Sequence, residues 1–284
     1  MKSGFVAIIG RSNVGKSTLI NALVGTKVAI TTPKPQTTRK PIQGVLTTDE
    51  GQVVFVDTPG VMQKARDQLT KTLLNAVRDS LRDIDAVIYV ADPTRSIGNE
   101  EKQAMKLIEG VEVPKILAIN KTDDRKSNAY IDFYRDLAPQ FDAVVEISAA
   151  HGSNVDILKK WIFEQMPEGE PFYPLYHVSN ISKEEQIAEI IREKLFLRLQ
   201  EEVPYSTHVE VDEMTERKNG TLYIHATIYT SEERYRGMII GKGGRGIREI
   251  GQSSRKELEA ISDRNIFLEM EVEVDKHWVE KLAM

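Results

Sequence analysis

The octapeptide Gly10-Arg11-Ser12-Asn13-Val14-Gly15-Lys16-Ser17 constrains this chain more than any other feature. It satisfies the pattern GxxxxGK[ST] between an apolar run, FVAII, and an amphipathic one, KSTLINALV, so strand, turn and helix follow in the order that phosphate binding requires. The glycines let backbone N–H groups turn inward onto phosphates, and the helix N-terminus adds its dipole. Lys16 reaches the β and γ oxygens and Ser17 offers a hydroxyl to Mg²⁺. Thr18, next on the helix, completes the loop residues expected against the nucleotide.

Such a loop belongs in a sheet covered on both faces. As far as Met166, short β-branched runs (FVAII, VVFVD, AVIYVAD, KILAIN, AVVEIS) alternate with amphipathic stretches (KSTLINALV, LTKTLLNAVRDSLRDI, EEKQAMKLIEG, YIDFYRDLA, NVDILKKWIFEQM). The strands are continuously rather than alternately apolar, which predicts an α/β domain with a mostly parallel, doubly wound sheet over residues 1–166. PEGEPFYPLYHVSNIS breaks the pattern and predicts a linker over 167–182. Residues 183–284 follow another order: a long helix, two strands joined by ERKNG, a Gly-rich turn, a helix and a strand, which is an α+β domain. The Asn219-Gly220 pair makes the two strands an antiparallel hairpin.

Three further segments end strands of the first domain, at the sheet edge where open α/β sheets bind ligands. Asp57-Thr58-Pro59-Gly60 closes VVFVD, placing a carboxylate to hold Mg²⁺ through water and a glycine N–H to sense the γ-phosphate. Asn120-Lys121-Thr122-Asp123 closes KILAIN, and Ser148-Ala149-Ala150 closes AVVEIS. A carboxylate at Asp123 can accept from N1–H and the exocyclic amine of guanine, whereas adenine offers neither donor. The nucleotide expected is therefore GTP or GDP, with Asn120 bracing the loop, Lys121 along the base plane and the Ala149 N–H donating to O6.

Between the first helix and Asp57 lies TTPKPQTTRK, polar and broken by proline. One of Thr37 and Thr38 is the expected switch ligand for Mg²⁺ and the γ-phosphate, with Thr38 favoured; such a segment is ordered by the γ-phosphate and released on hydrolysis. Lys16, Thr38 and Gly60 thus carry the expected hydrolysis. Val61 stands where many GTPases place a glutamine that orients water. Slow intrinsic turnover follows, accelerated by a partner or a monovalent ion, and Val61→Ala should change it by only a few-fold.

The formal charge of −5 argues against a uniformly basic nucleic-acid surface, and residues 167–284 are the more acidic part, with 16 basic and 23 acidic side chains. Within them, however, Arg234, Arg236, Lys242, Arg245, Arg248, Arg255 and Lys256 face only Glu249 between positions 234 and 256. That basic stretch surrounds Ile240-Gly241-Lys242-Gly243-Gly244, read as a turn between strand and helix, whose GxxG is the backbone clamp of KH domains on single-stranded RNA. The order α, β, β, α, α, β fits the type II KH topology. RNA, not DNA, is the expected polymer. No cysteine occurs and no 18 apolar residues run together, so a cytoplasmic chain is expected. The five histidines show no ligand spacing.

Taken together, GRSNVGKSTLINAL, PQTTR, FVDTPG, NKTD, ISA, EIIREK followed by EEVPYS, and IIGKGG resemble one family along nearly the whole chain: the bacterial Era GTPases, a Ras-like G domain fused to a type II KH domain. The resemblance implies binding to the 3′ end of small-subunit ribosomal RNA, a late role in assembling the small ribosomal subunit, and peripheral association of some members with the inner membrane. A monomer is expected. In related GTPases the asparagine matching Asn13 can coordinate K⁺. Family members usually carry proline at Ser12 and a different linker sequence from VSNISKEEQ. The alternatives are a GTPase coupled to RNA processing or modification, to cell-cycle or membrane regulation, or a constitutive RNA scaffold.

Overall fold

The structure, a computed structural model, describes residues 1–35, 37–39, 41–58, 60, 81–124 and 129–281. The chain forms two compact units, Met1–Thr31 with Pro35–Asn180, and Ile181–Met284 with Thr32–Lys34.

The first unit is built on six strands, β1 (Lys2–Ile9), β2 (Ile42–Thr47), β3 (Gly51–Asp57), β4 (Ala86–Ala91), β5 (Lys115–Ile119) and β6 (Ala143–Glu146), in the order β2-β3-β1-β4-β5-β6. All neighbours are parallel except β2, which runs antiparallel to β3. Every residue of β3 and β4 is buried, as continuous hydrophobicity requires of a sheet covered on both sides. Helices α1 (Lys16–Val24), α2 (Asn99–Ile108), α3 (Ile131–Asp136) and α4 (Val155–Gln165) alternate with the strands. On one face Ala7, Ile9, Val87, Tyr89, Leu117 and Ile119 pack with Ala104, Ile108 and Tyr134. The mostly parallel architecture is the expected one. Of the helix expected over LTKTLLNAVRDSLRDI, residues 69–80 lie outside the described residues.

Two features depart from the sequence reading. Strand β2 is not anticipated there, because Gly44 interrupts IQGVLT; a β-carbon on Gly44 would lie 2.9 Å from the Ile20 side chain, so α1 packs directly on the strand. Residues 167–180, expected as a linker, belong to the first unit. Ser3 N donates to Pro167 O at 2.9 Å, Val45 N to Val178 O at 2.9 Å, and Phe172 meets Phe5 edge-on with ring centres 4.5 Å apart. The segment supplies hydrogen-bond partners to the otherwise open edge of β2.

The second unit has three strands, β7 (Thr207–Glu216), β8 (Leu222–Thr230) and β9 (Ile266–Val274), antiparallel between β7 and β8 and parallel between β8 and β9. Helix α5 (Lys183–Arg198) opens with a capping box, in which Glu185 N donates to Ser182 Oγ at 3.1 Å and Ser182 N to Glu185 Oε2 at 3.0 Å. The parallel return from β8 to β9 passes through α6 (Glu233–Ile240) and α7 (Arg245–Ser262), and α8 (Trp278–Lys281) follows β9. Helix α7 buries Gly246, Ile250, Ser254 and Leu258, one residue per turn, against a core that includes Ile191, Leu195, Ile224 and Ile228. The glycine-rich turn therefore joins two helices, not a strand and a helix. RYRGMII reads as extended because it is aromatic and β-branched, yet Tyr235 and Ile239, four residues apart, are its buried pair.

Candidate functional site

Strand β1 ends at Ile9 and the chain turns through Gly10–Gly15 into α1. Gly15 (φ 97°) and Asn13 (φ 64°) adopt the left-handed conformation that aligns successive N–H groups. Helix α1 has no acidic residue in its first turn, and its N-cap, Gly15, makes no side-chain cap, so its terminal N–H groups suit an anion. Lys16 is buried, with Nζ donating to Gly10 O at 3.2 Å and Arg11 O at 3.0 Å. Burial lowers its pKa to about 8, against the pull of Asp57 and Glu101. A buried ammonium held by two carbonyls among the described residues is well placed to exchange them for phosphate oxygens.

Beside it, Ser17, Thr38 and Asp57 converge. Ser17 Oγ donates to Asp57 Oδ2 at 2.7 Å, Thr38 Oγ1 lies 3.2 Å from the same oxygen, and the two hydroxyls are 3.1 Å apart. Asp57 is fully buried, and burial pushes its carboxyl up while Lys16, Ser17 and Thr38 pull it down. Its second oxygen, Oδ1, has no hydrogen-bond partner among the described residues. Two hydroxyls and a carboxylate with an unmet oxygen fit a hard dication such as Mg²⁺, directly or through water. Thr58 Oγ1 donates to Ile8 O at 2.8 Å, tying this corner to β1. A β-carbon on Gly60 would lie 2.6 Å from Ser12 Cα, so the backbone there rests on the phosphate loop. Pro59 and Val61 lie outside the described residues.

Asn120 links the phosphate loop to the third segment: its Nδ2 donates to Val14 O at 2.8 Å, and Ala149 N donates to its Oδ1 at 2.9 Å. Lys121 Nζ donates to Asn13 O at 2.8 Å and pairs with Asp92 at 2.7 Å. Thr122 Oγ1 donates to Ile147 O at 2.9 Å, fixing the loop beside β6. Asp123 is exposed; a hydrogen bond with Ser148, together with His151 and Lys121, holds its carboxyl below the usual range against desolvation. Ser148 is buried and Ala150 exposed. The described members of the expected nucleotide set are thus brought together, but the Ala149 N–H, expected to donate to guanine O6, donates to Asn120 instead. The Arg11 side chain is buried in an ion pair with Glu101 at 2.9 Å and donates to Ser96 O at 2.7 Å, leaving only its backbone for a phosphate. Asp92, Arg95 and Glu101 lie outside every nucleotide motif of the sequence. Asp92 does carry a legible signal, a carboxylate one residue beyond a buried strand, as Asn120 stands beyond β5.

In the second unit Gly241, Gly243 and Gly244 have φ of 69°, 61° and 72°. A β-carbon on Gly246 would lie 2.3 Å from Ile239 O, so α6 and α7 meet at their backbones. Alongside α7 runs a groove of about 490 Å³, floored by Ile247, Gly251, Leu268 and Met270 and edged by Arg248 and Arg255. Ile240 is half-buried, and Lys242, Arg245, Arg248 and Lys256 are exposed. The charge of the basic stretch is smaller than the count over 234–256 suggests. Arg234 pairs with Glu232 at 2.7 Å and Arg236 with Glu233 at 2.8 Å, two acids immediately before that window; Arg255 lies 3.9 Å from Glu259.

A family model described as a 50S ribosome-binding GTPase matches residues 5–121, and a KH-domain model matches residues 202–279. GTPase Era of Halothermothrix orenii is 43% identical over 281 residues, covering 99% of this chain and 95% of the relative. GTPase Era of Geobacter metallireducens is 40% identical over 287 residues, covering 100% and 96%. Among solved structures, a point variant of Aquifex aeolicus Era bound to GDP and AlF4⁻ is 36% identical, with a TM-score of 0.91 over 98% of this chain and 95% of that one. Era in complex with MgGDPNP and nucleotides 1506–1542 of 16S ribosomal RNA matches with the same identity, score and coverage. With the four nucleotide segments gathered at one sheet edge and a helix–GxxG–helix turn in the second unit, this chain belongs to the Era family of GTPases.

Proposed function

We propose that this chain is a GTP-hydrolysing switch that binds the 3′ end of small-subunit ribosomal RNA and assists assembly of the small ribosomal subunit. The observation that carries the reading is the convergence of Ser17, Thr38 and Asp57 beside the buried ammonium of Lys16. It is supported by the full-length likeness to an Era solved with both MgGDPNP and 16S ribosomal RNA.

In this reading the N–H groups of residues 10–18 and the Lys16 ammonium take the phosphates, and the backbone of Gly60 senses the γ-phosphate. Asp123 reads guanine, with Asn120, Lys121, Ser148, Ala149 and Ala150 shaping the base pocket. Ser17 and Thr38 hold Mg²⁺ directly and Asp57 through water; the ion neutralises charge on the β and γ oxygens. Asn13 is the candidate contact for K⁺, tested by comparing turnover in K⁺ and Na⁺. The GxxG turn and the groove edged by Arg248 and Arg255 take the RNA. The proposal extends to a cytoplasmic monomer that associates peripherally with the inner face of the membrane, tested by sedimentation and fractionation. Among the described residues no helix is long and apolar enough to cross a membrane.

The test compares RNA affinity in GDP and in a non-hydrolysable GTP analogue, with sequencing of crosslinked RNA. Tighter binding with the analogue and crosslinks at the 3′ end of small-subunit RNA are expected. Equal affinities across a range of salt would remove the switch, and crosslinks elsewhere would remove the ribosomal role.

A further inference from the structure

The carbonyls of the phosphate loop are each engaged by a donor. With the N–H groups of the loop turned toward one side, its carbonyls face the other, and buried carbonyls need partners. Lys16 donates to Gly10 O and Arg11 O, Arg95 Nη1 to Ser12 O at 3.0 Å, Lys121 to Asn13 O, Asn120 to Val14 O, and Leu19 N to Gly15 O at 2.8 Å. A phosphate that draws Lys16 away leaves Arg95, Lys121 and Asn120 to hold the middle of the loop.

Arg95 and the anchor of Lys121 lie on one short segment, Asp92-Pro-Thr-Arg-Ser96, between β4 and α2. Asp92 is fully buried; one carboxylate oxygen accepts from Lys121 Nζ at 2.7 Å, the other from Thr94 N at 3.0 Å and Thr94 Oγ1 at 2.6 Å. Burial alone would push this carboxyl up, but the bonds from Lys121 and Thr94 hold it below its ordinary value, so it stays an anion. Arg11 fastens the segment from the loop side, donating to Asp92 O at 3.1 Å, Arg95 O at 3.3 Å and Ser96 O at 2.7 Å.

We propose that Asp92 and Arg95 are positioning residues for nucleotide binding, Asp92 by holding Lys121 on Asn13 O and Arg95 by holding Ser12 O, so that the phosphate loop is set before nucleotide arrives. The inference rests on the nucleotide site proposed above. Neither residue is assigned a contact with nucleotide; both act through the loop, as outer-shell partners orient the groups that do bind.

The test measures binding of a fluorescent GDP analogue, KM and kcat for GTP, and the melting temperature of the nucleotide-free protein for Asp92→Asn, Arg95→Ala and Arg95→Lys. Asp92→Asn and Arg95→Ala should each weaken GDP on the order of tenfold and raise KM in parallel, with kcat changed far less. Arg95→Lys should recover most of the loss. Because Lys121 is the route for Asp92, Asp92→Asn should add little to Lys121→Ala. Arg95 is exposed, so its variants carry the test even if Asp92→Asn does not fold. Affinity within twofold of the parent in folded Arg95→Ala, or additive losses in Asp92→Asn with Lys121→Ala, overturns the proposal. A parent protein that binds no GDP overturns the nucleotide site itself.

Discussion

A β-carbon on Gly15 would lie 2.4 Å from Nδ2 of Asn120. The asparagine cannot retreat without cost, since that nitrogen is bonded to Val14 O and its oxygen to Ala149 N. Gly15 also has φ of 97°, where a side chain is strained. Gly15→Ala should destabilise the nucleotide-free protein by roughly 2–4 kcal/mol, combining backbone strain with a disturbed buried hydrogen bond. In an Asn120→Ala background only the strain remains, so the added cost should fall to about 1–2 kcal/mol. Urea unfolding of the four proteins measures both costs, and equal values in the two backgrounds would refute the contact.

Lys16 predicts a pH dependence with a definite sign. Its pKa is lowered by burial from 10.5 to about 8, so the unfolded chain binds more protons than the folded one between those limits. The nucleotide-free protein should therefore gain stability from this group as pH rises from about 8 to 10.5. Below about 8 the charged lysine imposes its full penalty, on the order of 3 kcal/mol. Lys16→Met should be more stable than the parent at pH 7, with the advantage shrinking across that window. Phosphates favour the ammonium, so GDP binding should weaken above about pH 8 and take up a proton. Calorimetry in buffers of different ionisation heat detects that uptake; no proton exchanged at pH 9 would contradict the assignment.

The sheet edge was legible because function there is tied to period. Asp57, Asn120 and Ser148 each stand at or just beyond the end of a short apolar run, where a parallel sheet must present its polar residues. Strand β2 was hidden because Gly44 trades a side chain for close contact with Ile20, which no local pattern announces. The Arg11 side chain was illegible for a related reason: its place in the loop motif says nothing of the buried Glu101 on α2 that pairs with it. Helix α6 has the residue types of a strand, and only its packing through Tyr235 and Ile239 makes it helical. The net charge of the basic stretch depended on Glu232 and Glu233, just outside the counted window, turning back onto Arg234 and Arg236.

Asp123 gives a test of base selection. Its carboxyl is held below the usual range, so it remains an acceptor at neutral pH and can take two donors from guanine. Asp123→Asn leaves only one acceptor and adds a donor that faces the guanine amine. GTP affinity should fall by roughly a hundredfold, and xanthosine triphosphate, which carries a carbonyl in place of that amine, should become the better ligand. Competition against a fluorescent GDP analogue compares the two bases; unchanged preference for guanine would move base reading to another residue.

The ion pairs of the second unit rank its arginines. Arg248 is exposed on α7 at the edge of the groove and makes no ion pair among the described residues, whereas Arg234 is also exposed but shares its charge with Glu232 and donates to Tyr235. A phosphate gains the full attraction of the first and only part of the second. Arg248→Ala should weaken binding of single-stranded RNA about fivefold and lower the dependence of log affinity on log salt by about one, the loss of one neutralised phosphate. Arg234→Ala should change affinity less than twofold, because the departing charge is already compensated. Salt titrations of both variants against the same RNA decide the order, and an equal or larger loss at Arg234 would shift the RNA path from the groove toward the start of α6.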